Sequence, residues 1–283
     1  MSLTVQLGAA SDPAGLGVFA LLLGHKDATY AAAAQRQVNV LLHRTPRYTN
    51  GAISHWETVA ECWGDAVYWT PPFFAYYAVA RGDKELLCEA VGQCSLYREV
   101  LLDKATGLWK HIVGPEHGDP GFWSTSNGWA VAGFARVYAT LMHSRITGDQ
   151  LESWKGELAT LTKEIIDGVM RTPRASNGLI RNYITDTTWD GECAGTALLT
   201  SAVYRMAVFR PDVFGERYVE WADKNKEAVL RHVNAETGEV SPVCNPYKPQ
   251  SRERFEKSPE AHAFVVLMWT AHRDWVKHTK AGA

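Results

Sequence analysis

A short loop pattern recurs four times along the chain and restricts the folds open to it. Each copy opens with a polar residue and a glycine and continues as a short extended stretch; the copies are Asn50 to His55, Thr106 to His111, Asn177 to Asn182 and Thr237 to Pro242. Their glycines are 56, 71 and 60 residues apart. A period of that length fits one helical hairpin plus a long loop. The repeat therefore predicts an array of helical hairpins whose long loops gather at one end.

The segments between these loops carry the apolar periodicity of helices. A first helix begins at Asp12, and the other predicted helices cover residues 29–43, 63–79, 84–102, 129–143, 151–170, 195–209, 214–233 and 259–277. No long strand is predicted. The pattern indicates an all-α fold, an (α/α)6 toroid of helical hairpins, formed by a single domain over residues 1–283.

The length of the chain bears on how complete this toroid is. At about 60 residues per hairpin, six hairpins need roughly 360 residues, and the 283 residues present hold about four and a half. We therefore expect an open ring, or a toroid that is incomplete at its N-terminus. Residues 1–10 contain no readable signal peptide, so the sequence leaves the localisation open.

Composition and charge argue against several classes of partner. The net charge is −2 and the basic residues are scattered, so we expect binding to neither nucleic acid nor a membrane. No run of eighteen apolar residues is present. The five cysteines form no CxxC pair and no histidine has the close partners that a zinc site needs, so we predict no metal and no cofactor. Eleven Trp and eleven Tyr residues favour a surface on which sugars stack.

Asp65 stands out because it opens an otherwise apolar helix beside Trp63, Tyr68 and Trp69. One interpretation is an N-cap, in which the carboxylate accepts the first backbone N–H groups. The other is a general acid or base, because desolvation by aromatic neighbours suits a carboxyl group to proton transfer. The sequence leaves both interpretations open.

Other candidate residues have comparable alternatives. Asp12 and Glu192 each begin a helix, where a carboxylate also fits a capping or helix-dipole role. His55 and His111 occupy the same place in two copies of the repeat. They could line one cavity or serve as hydrogen-bonding scaffold.

A series of ordered motifs extends over most of the chain. They are Asp12 with Gly17, Pro46-Arg47, Asn50-Gly51 with His55, Trp63-Gly64-Asp65 through Tyr68 to Pro72-Phe73, Thr106-Gly107-Leu108 with His111, residues 123–129 from Trp123 to Trp129, and residues 192–197 from Glu192 to Ala197. In this order they resemble the unsaturated glucuronyl and rhamnogalacturonyl hydrolases of glycoside hydrolase families 88 and 105, which are six-hairpin glycosidases. The resemblance implies a hydrolase of polysaccharide degradation that hydrates the 4,5 double bond of an unsaturated uronic acid in an oligosaccharide.

The resemblance also implies roles for individual residues. Asp65 would be the acid/base that protonates C4 and activates water, and Asp12 would be the second carboxylate. The implied substrate-binding residues are His55, Trp63, His111, Trp123, Thr125, Asn127, Trp129 and Glu192. Thr125 stands where the family signature has an arginine, and a hydroxyl does not replace a guanidinium as the partner of a substrate carboxylate. Candidates for a replacement are Lys110, His117 and Arg181.

The missing arginine favours a second hypothesis, a non-catalytic carbohydrate-binding or structural relative of the toroid. A lyase or an enzyme of small-molecule biosynthesis is a third hypothesis, since a fold does not fix a function. An enzyme of the first kind predicts that Asp65→Asn abolishes activity without unfolding the protein. Finally, an open toroid that exposes apolar helices is expected to form a homodimer.

Overall fold

The computed structural model describes residues 8–253, 255 and 257–281. Within those residues there are nine helices: α1 (Asp12–Leu23), α2 (Ala28–His43), α3 (Ala66–Arg81), α4 (Lys84–Leu101), α5 (Ser124–Met142), α6 (Gln150–Arg171), α7 (Cys193–Phe209), α8 (Glu216–Leu230) and α9 (Pro259–Ala281). Two short strands, β1 (Cys62–Trp63) and β2 (Ile112–Val113), form an antiparallel ladder. The predicted all-α class is confirmed.

Capping residues set several of the helix boundaries. At the start of α2, Asp27 Oδ1 accepts a hydrogen bond from the Thr29 backbone N–H at 2.8 Å. Asp83 caps α4 in the same way through the Leu86 N–H, at 2.9 Å. α3 ends at Gly82, whose φ of 68° lies in the left-handed region that glycine adopts most easily. Local sequence therefore fixes where these helices begin and end.

α5 begins earlier than the sequence predicts. The polar run before Trp129 is typical of a loop, yet the helix starts at Ser124. The Asn127 amide donates to the Trp123 carbonyl at 3.0 Å. The Ser124 hydroxyl donates to Glu192 Oε1, also at 3.0 Å. These polar side chains have partners inside the protein, so they do not oppose the helix as they would in water.

The described chain divides into two compact units. The first unit contains the residues up to Asp103, together with Trp109–Pro120 and Gly133–Leu161. In it α3 packs against α1 and α4, and α1 packs against α2. A Cβ atom on Gly17 would lie 2.3 Å from the ring of Phe73, so glycine permits the close approach of α1 to α3.

The second unit contains Lys104–Leu108, Gly121–Ala132 and the described residues from Thr162 onward. Its central helix is α7, which is buried along all but three of its seventeen residues and packs against α8 and α9. That residues 1–283 form one domain stays a prediction. None of the described helices combines the length and apolar character that a bilayer span requires.

Candidate active site

The ladder of the first unit fixes two polar side chains relative to each other. β1 and β2 pair so that Trp63 lies opposite Ile112. Directly after β1, the Gly64 N–H donates to the His111 carbonyl at 3.0 Å. Asp65 follows at the N-terminus of α3. A carboxyl group and an imidazole 46 positions apart in sequence are thereby held side by side by backbone hydrogen bonds.

Asp65 contacts His111 and does not cap its helix. It occupies the N-cap position of α3, but its side chain accepts no capping hydrogen bond. Its Oδ2 lies 3.4 Å from His111 Nε2. The capping interpretation of Asp65 is therefore wrong, because its side chain makes no capping hydrogen bond and its carboxylate contacts a histidine.

His111 lies between two carboxylates. On the side away from Asp65, His111 Nδ1 lies 2.9 Å from Asp119 Oδ2. Asp119 itself is held by two backbone hydrogen bonds with Ile112, at 2.9 and 3.1 Å. Burial opposes protonation of His111, but the charge of Asp65 and the hydrogen bonds to both carboxylates outweigh it and raise its pKa to about 9. His111 is therefore an imidazolium at neutral pH.

Asp12 and His55 form a second carboxyl–imidazole pair in the same unit. Asp12 Oδ1 lies 3.9 Å from His55 Nε2, and Ser11 Oγ lies 2.5 Å from His55 Nδ1. Burial lowers the pKa of His55 to about 4, so this ring is neutral. Partial burial of Asp12, whose side chain is still 48% exposed, and the negative charge of Asp65 raise the pKa of Asp12 to about 6. The environments of Asp12 and Asp65 thus differ, as in pairs of carboxyl groups that divide proton transfer between them.

Trp63 connects the two pairs. Its indole is stacked on His55, with 4.6 Å between ring centroids and 16° between planes, and it meets His111 edge on at 5.8 Å. Trp56 in turn meets Trp63 edge on, at 5.7 Å. Aromatic faces beside carboxyl groups are surfaces against which the apolar side of a sugar ring can pack. We refer to Asp12, His55, Trp63, Asp65 and His111 as the aspartate–histidine cluster.

The remaining predicted binding residues lie in the second unit and are all buried: Trp123, Thr125, Asn127, Trp129 and Glu192. Glu192 caps α7, since its carboxylate accepts the backbone N–H groups of Ala194 and Gly195, both at 2.6 Å. The Trp123 indole donates to Asn182 Oδ1 at 2.9 Å. A structural role thus accounts for the contacts of Glu192, and substrate binding by this set stays a prediction.

A cavity of about 380 Å³ opens beside this set in the second unit. Glu192 and Asn182 contribute to its lining, together with Trp189 and Arg252. The Arg252 guanidinium lies 4.0 Å from the centroid of the Trp189 ring, which is cation–π distance.

The sequence model of the family described as Glycosyl Hydrolase Family 88 matches residues 12–262 of this chain. The chain belongs to this family. Among curated proteins, the unsaturated rhamnogalacturonyl hydrolase YesR of Bacillus subtilis is 23% identical over 242 residues, which cover 79% of this chain and 63% of YesR. The present chain therefore spans less than two thirds of the length of that relative.

Solved structures show the fold that family 88 shares with family 105. A structure described as a possible member of family 105 from Salmonella enterica matches with a TM-score of 0.79 and 18% identity, over 96% of this chain and 73% of that one. The unsaturated glucuronyl hydrolase of Bacillus sp. GL1 matches with a TM-score of 0.66 and 15% identity, over 94% and 74%. The predicted toroid fold and the resemblance to families 88 and 105 are confirmed.

In this family 88 chain the five members of the aspartate–histidine cluster were all candidates from the sequence. The sequence places Asp119 among the loop residues expected to line the cleft, but it gives no role to Ser11 and Glu61; all three contact members of the cluster. Glu61 is fully buried, and its carboxylate accepts hydrogen bonds from residues more than fifty positions further along the chain. No local pattern marks such a residue. The close packing of Gly114 on this residue, where a Cβ would lie 2.2 Å from Glu61 Cγ, is visible only in the structure.

Proposed function

We propose that this protein is a hydrolase that acts on oligosaccharides ending in an unsaturated uronic acid. The observation that carries the proposal is the contact of Asp65 with an imidazolium, His111, that Asp119 holds from its other side. Asp12 lies in the same unit, and its raised pKa is partly due to the charge of Asp65. Membership of family 88 and the similarity to YesR support the same substrate class.

In the proposed reaction Asp65 exchanges protons with both the sugar and a water molecule. When the proton that Asp65 shares with Asp12 is on Asp65, this carboxylic acid gives it to C4 while the water oxygen forms a bond to C5. The same water returns a proton to the Asp65 carboxylate, so the residue ends the step as it began. The C5 hemiketal then opens by breaking the bond between C5 and the ring oxygen. The hemiacetal left at C1 finally releases the neighbouring sugar as an alcohol.

The other members of the aspartate–histidine cluster assist this chemistry in our proposal. Asp12, with a pKa of about 6, shares a proton with Asp65 near neutral pH, because two interacting carboxyl groups titrate as a pair. His111 keeps Asp65 oriented and stabilises its ionised form after proton transfer. Trp63 supplies an apolar face for the sugar ring. The usual glycosidase scheme, attack of a carboxylate or water at the anomeric carbon, is not needed.

The test uses unsaturated disaccharides prepared from pectin, glycosaminoglycan and glucuronan. The conjugated C4=C5 double bond absorbs in the ultraviolet, so hydration removes the absorbance. We expect wild type to remove it on at least one substrate, and Asp65→Asn to lower kcat by about 10³-fold or more. Asp83→Asn is the matched control, because Asp83 is a carboxylate of the same unit that only caps α4.

The outcome separates the proposal from its two competitors. A folded wild-type protein that leaves the absorbance of all three substrates unchanged would contradict the hydratase mechanism. Sugar binding that persists equally in wild type and Asp65→Asn without turnover would indicate a binding protein. A lyase would raise the absorbance of a saturated polysaccharide and release products without added water, which mass spectrometry detects.

We further propose that a homodimer covers the exposed apolar face of α1. Leu16, Phe19 and Leu22 lie on one side of this helix and are 47, 62 and 61% exposed. Side chains of this kind, exposed together, are characteristic of an interaction surface.

A further inference from the structure

Glu61 is a buried carboxylate that the proposed reaction does not use. Its side chain is fully shielded from solvent. Oε1 accepts the backbone N–H groups of Glu116 and His117, at 2.7 and 2.9 Å. Oε2 lies 3.1 Å from Trp63 Nε1 and 2.9 Å from His117 Nδ1. Although burial opposes ionisation, these four hydrogen bonds lower the pKa of Glu61 and favour its ionised form.

The loop after β2 is shaped around this carboxylate. Gly114 lies directly against the Glu61 side chain, and a Cβ there would be 2.2 Å from Glu61 Cγ. The loop then turns so that two consecutive backbone N–H groups point at Glu61 Oε1. A carboxylate with this many fixed donors holds His117 in one position and leaves it little freedom.

The His117 ring is presented toward solvent beside the aspartate–histidine cluster. Its side chain is 42% exposed, whereas Glu61 beneath it is not exposed at all. One face stacks on Trp56, with 5.1 Å between centroids and 17° between planes. Its centroid is also 5.6 Å from that of Trp63, the indole that contacts both His55 and His111. Because Nδ1 is engaged with Glu61, Nε2 is the ring atom left to meet a ligand.

The charges of the aspartate–histidine cluster leave the carboxylate of an acidic sugar without a positively charged partner. Asp12 and Asp65 are both acidic, and an anionic sugar beside them needs a compensating positive charge. His111 does not provide it, because both ring nitrogens face carboxylates, Asp65 and Asp119. His55 does not provide it either, because it is buried and neutral. Three histidine rings contact Trp63, those of His55, His111 and His117. Of these three, all in the part of the chain that the structure describes, only His117 has an exposed ring.

We infer that His117, held by the buried Glu61 carboxylate and stacked on Trp56, binds the carboxylate of the uronic acid through Nε2–H. The inference rests on the proposed function and names the specificity residue of the same site. In the inferred complex, the Nδ1 side of the ring faces Glu61 and Nε2–H donates to the sugar carboxylate. His117 thereby binds the substrate carboxylate. Thr125, which stands at the arginine position of the family signature, is uncharged and fully buried in the second unit.

The test compares an unsaturated uronide disaccharide with its methyl ester, which has the same ring and double bond but no charge. Wild type is expected to prefer the acid. His117→Gln should raise KM for the acid roughly 10- to 100-fold, the loss of a charged hydrogen bond, with a much smaller change in kcat. The KM for the ester should hardly change, so the preference for the acid disappears. A residue that merely supported the fold would affect both substrates equally.

Two further variants complete the design. Glu61→Gln keeps the shape of the side chain but removes the charge that orients His117, and it should reduce the preference for the acid in the same direction. Lys110→Gln is the control, because it removes a cation of the same unit that neighbours His111 in sequence. If Lys110→Gln abolishes the preference while His117→Gln retains it, the inference is overturned and Lys110 takes the role.

Failure of this inference can be told apart from failure of the proposed function. Wild type that turns over neither substrate refutes the proposed function, and the His117 assignment falls with it. Turnover of both substrates with an unchanged acid preference in His117→Gln refutes the His117 assignment alone. Titration of Asp65→Asn and Asp65→Asn/His117→Gln with the acid, followed by tryptophan fluorescence, checks the same loss in binding without catalysis.

Discussion

His55 and His111 both contact the Trp63 indole, yet their surroundings drive them to opposite protonation states. Each is buried, which by itself disfavours the imidazolium. His111 has carboxylates on both ring nitrogens, and these overcome the cost of burial. His55 has a hydroxyl on one side and a carboxyl group at 3.9 Å on the other, which do not. Charge in this site is therefore decided by one or two neighbouring atoms.

The pKa of His111 predicts how stability depends on pH. The folded protein holds this proton up to about pH 9, whereas the unfolded chain releases it near 6.5. The stabilisation is therefore complete below pH 6.5 and is lost as pH rises toward 9. We expect the thermal midpoint of wild type to fall by roughly 3–6 °C between pH 7 and 9. In His111→Gln this fall should be absent.

Differential scanning calorimetry across this range measures the effect. His25→Gln is the control, since His25 is an exposed histidine of the same unit. An equally steep fall in His111→Gln and wild type would show that His111 is not the group responsible.

At the level of elements, glycine decides how closely α5 approaches α3. Within the first unit, a Cβ on Gly133 would lie 2.2 Å from the Val67 carbonyl oxygen. Real Cβ atoms do not come so close to backbone, and neither helix has a flexible side chain there that could yield. The two helix backbones therefore pack directly, without side chains between them.

Gly133→Ala should force α5 and α3 apart and lower the free energy of unfolding by about 1–3 kcal/mol, a typical cost of overpacking. Urea unfolding measures the change. Gly92→Ala in α4 is the matched control, because nothing lies within 4 Å of its added Cβ. That variant should leave stability unchanged or raise it by up to about 1 kcal/mol through better helix propensity. Equal losses in both variants would argue against the packing explanation.

The elements were largely predictable from sequence, and the exceptions have a physical reason. Apolar periodicity located the helices, because it depends on neighbouring residues. The start of α5 was not predictable, since the hydroxyl of Ser124 in its polar first turn donates to Glu192, far along the chain. Glu61 was missed for the same reason. Local sequence patterns do not identify partners that lie far apart in the chain and meet only when it folds.

At the scale of the whole molecule, the exposed face of α1 is the feature that most concerns assembly. The exposed side chains of Leu16, Phe19 and Leu22 belong to the same helix as Asp12. We expect a dimer in solution, and Phe19→Glu/Leu22→Glu should convert it to a monomer, because burial of two carboxylates at an apolar contact is unfavourable. Light scattering gives the mass directly.

Val266→Glu in α9 provides the control for this experiment. Val266 is 61% exposed, like Phe19, but belongs to the second unit. A wild-type protein that is monomeric at micromolar concentration, or a dimer that persists in the α1 variant, would contradict the assignment of α1 as the contact.

The loop between β2 and Asp119 is closed at its base by the two backbone hydrogen bonds between Ile112 and Asp119. His111 precedes that closure and Asp119 completes it, so the two hydrogen bonds hold His111 and Asp119 together independently of the side chains in between. Substitutions within residues 115–118 that keep the Glu116 and His117 backbone N–H groups on Glu61 can accordingly be tried without changing the catalytic carboxyl group. This short loop is therefore a place where natural or laboratory evolution can change which acidic sugar the protein binds while the rest of the scaffold is kept.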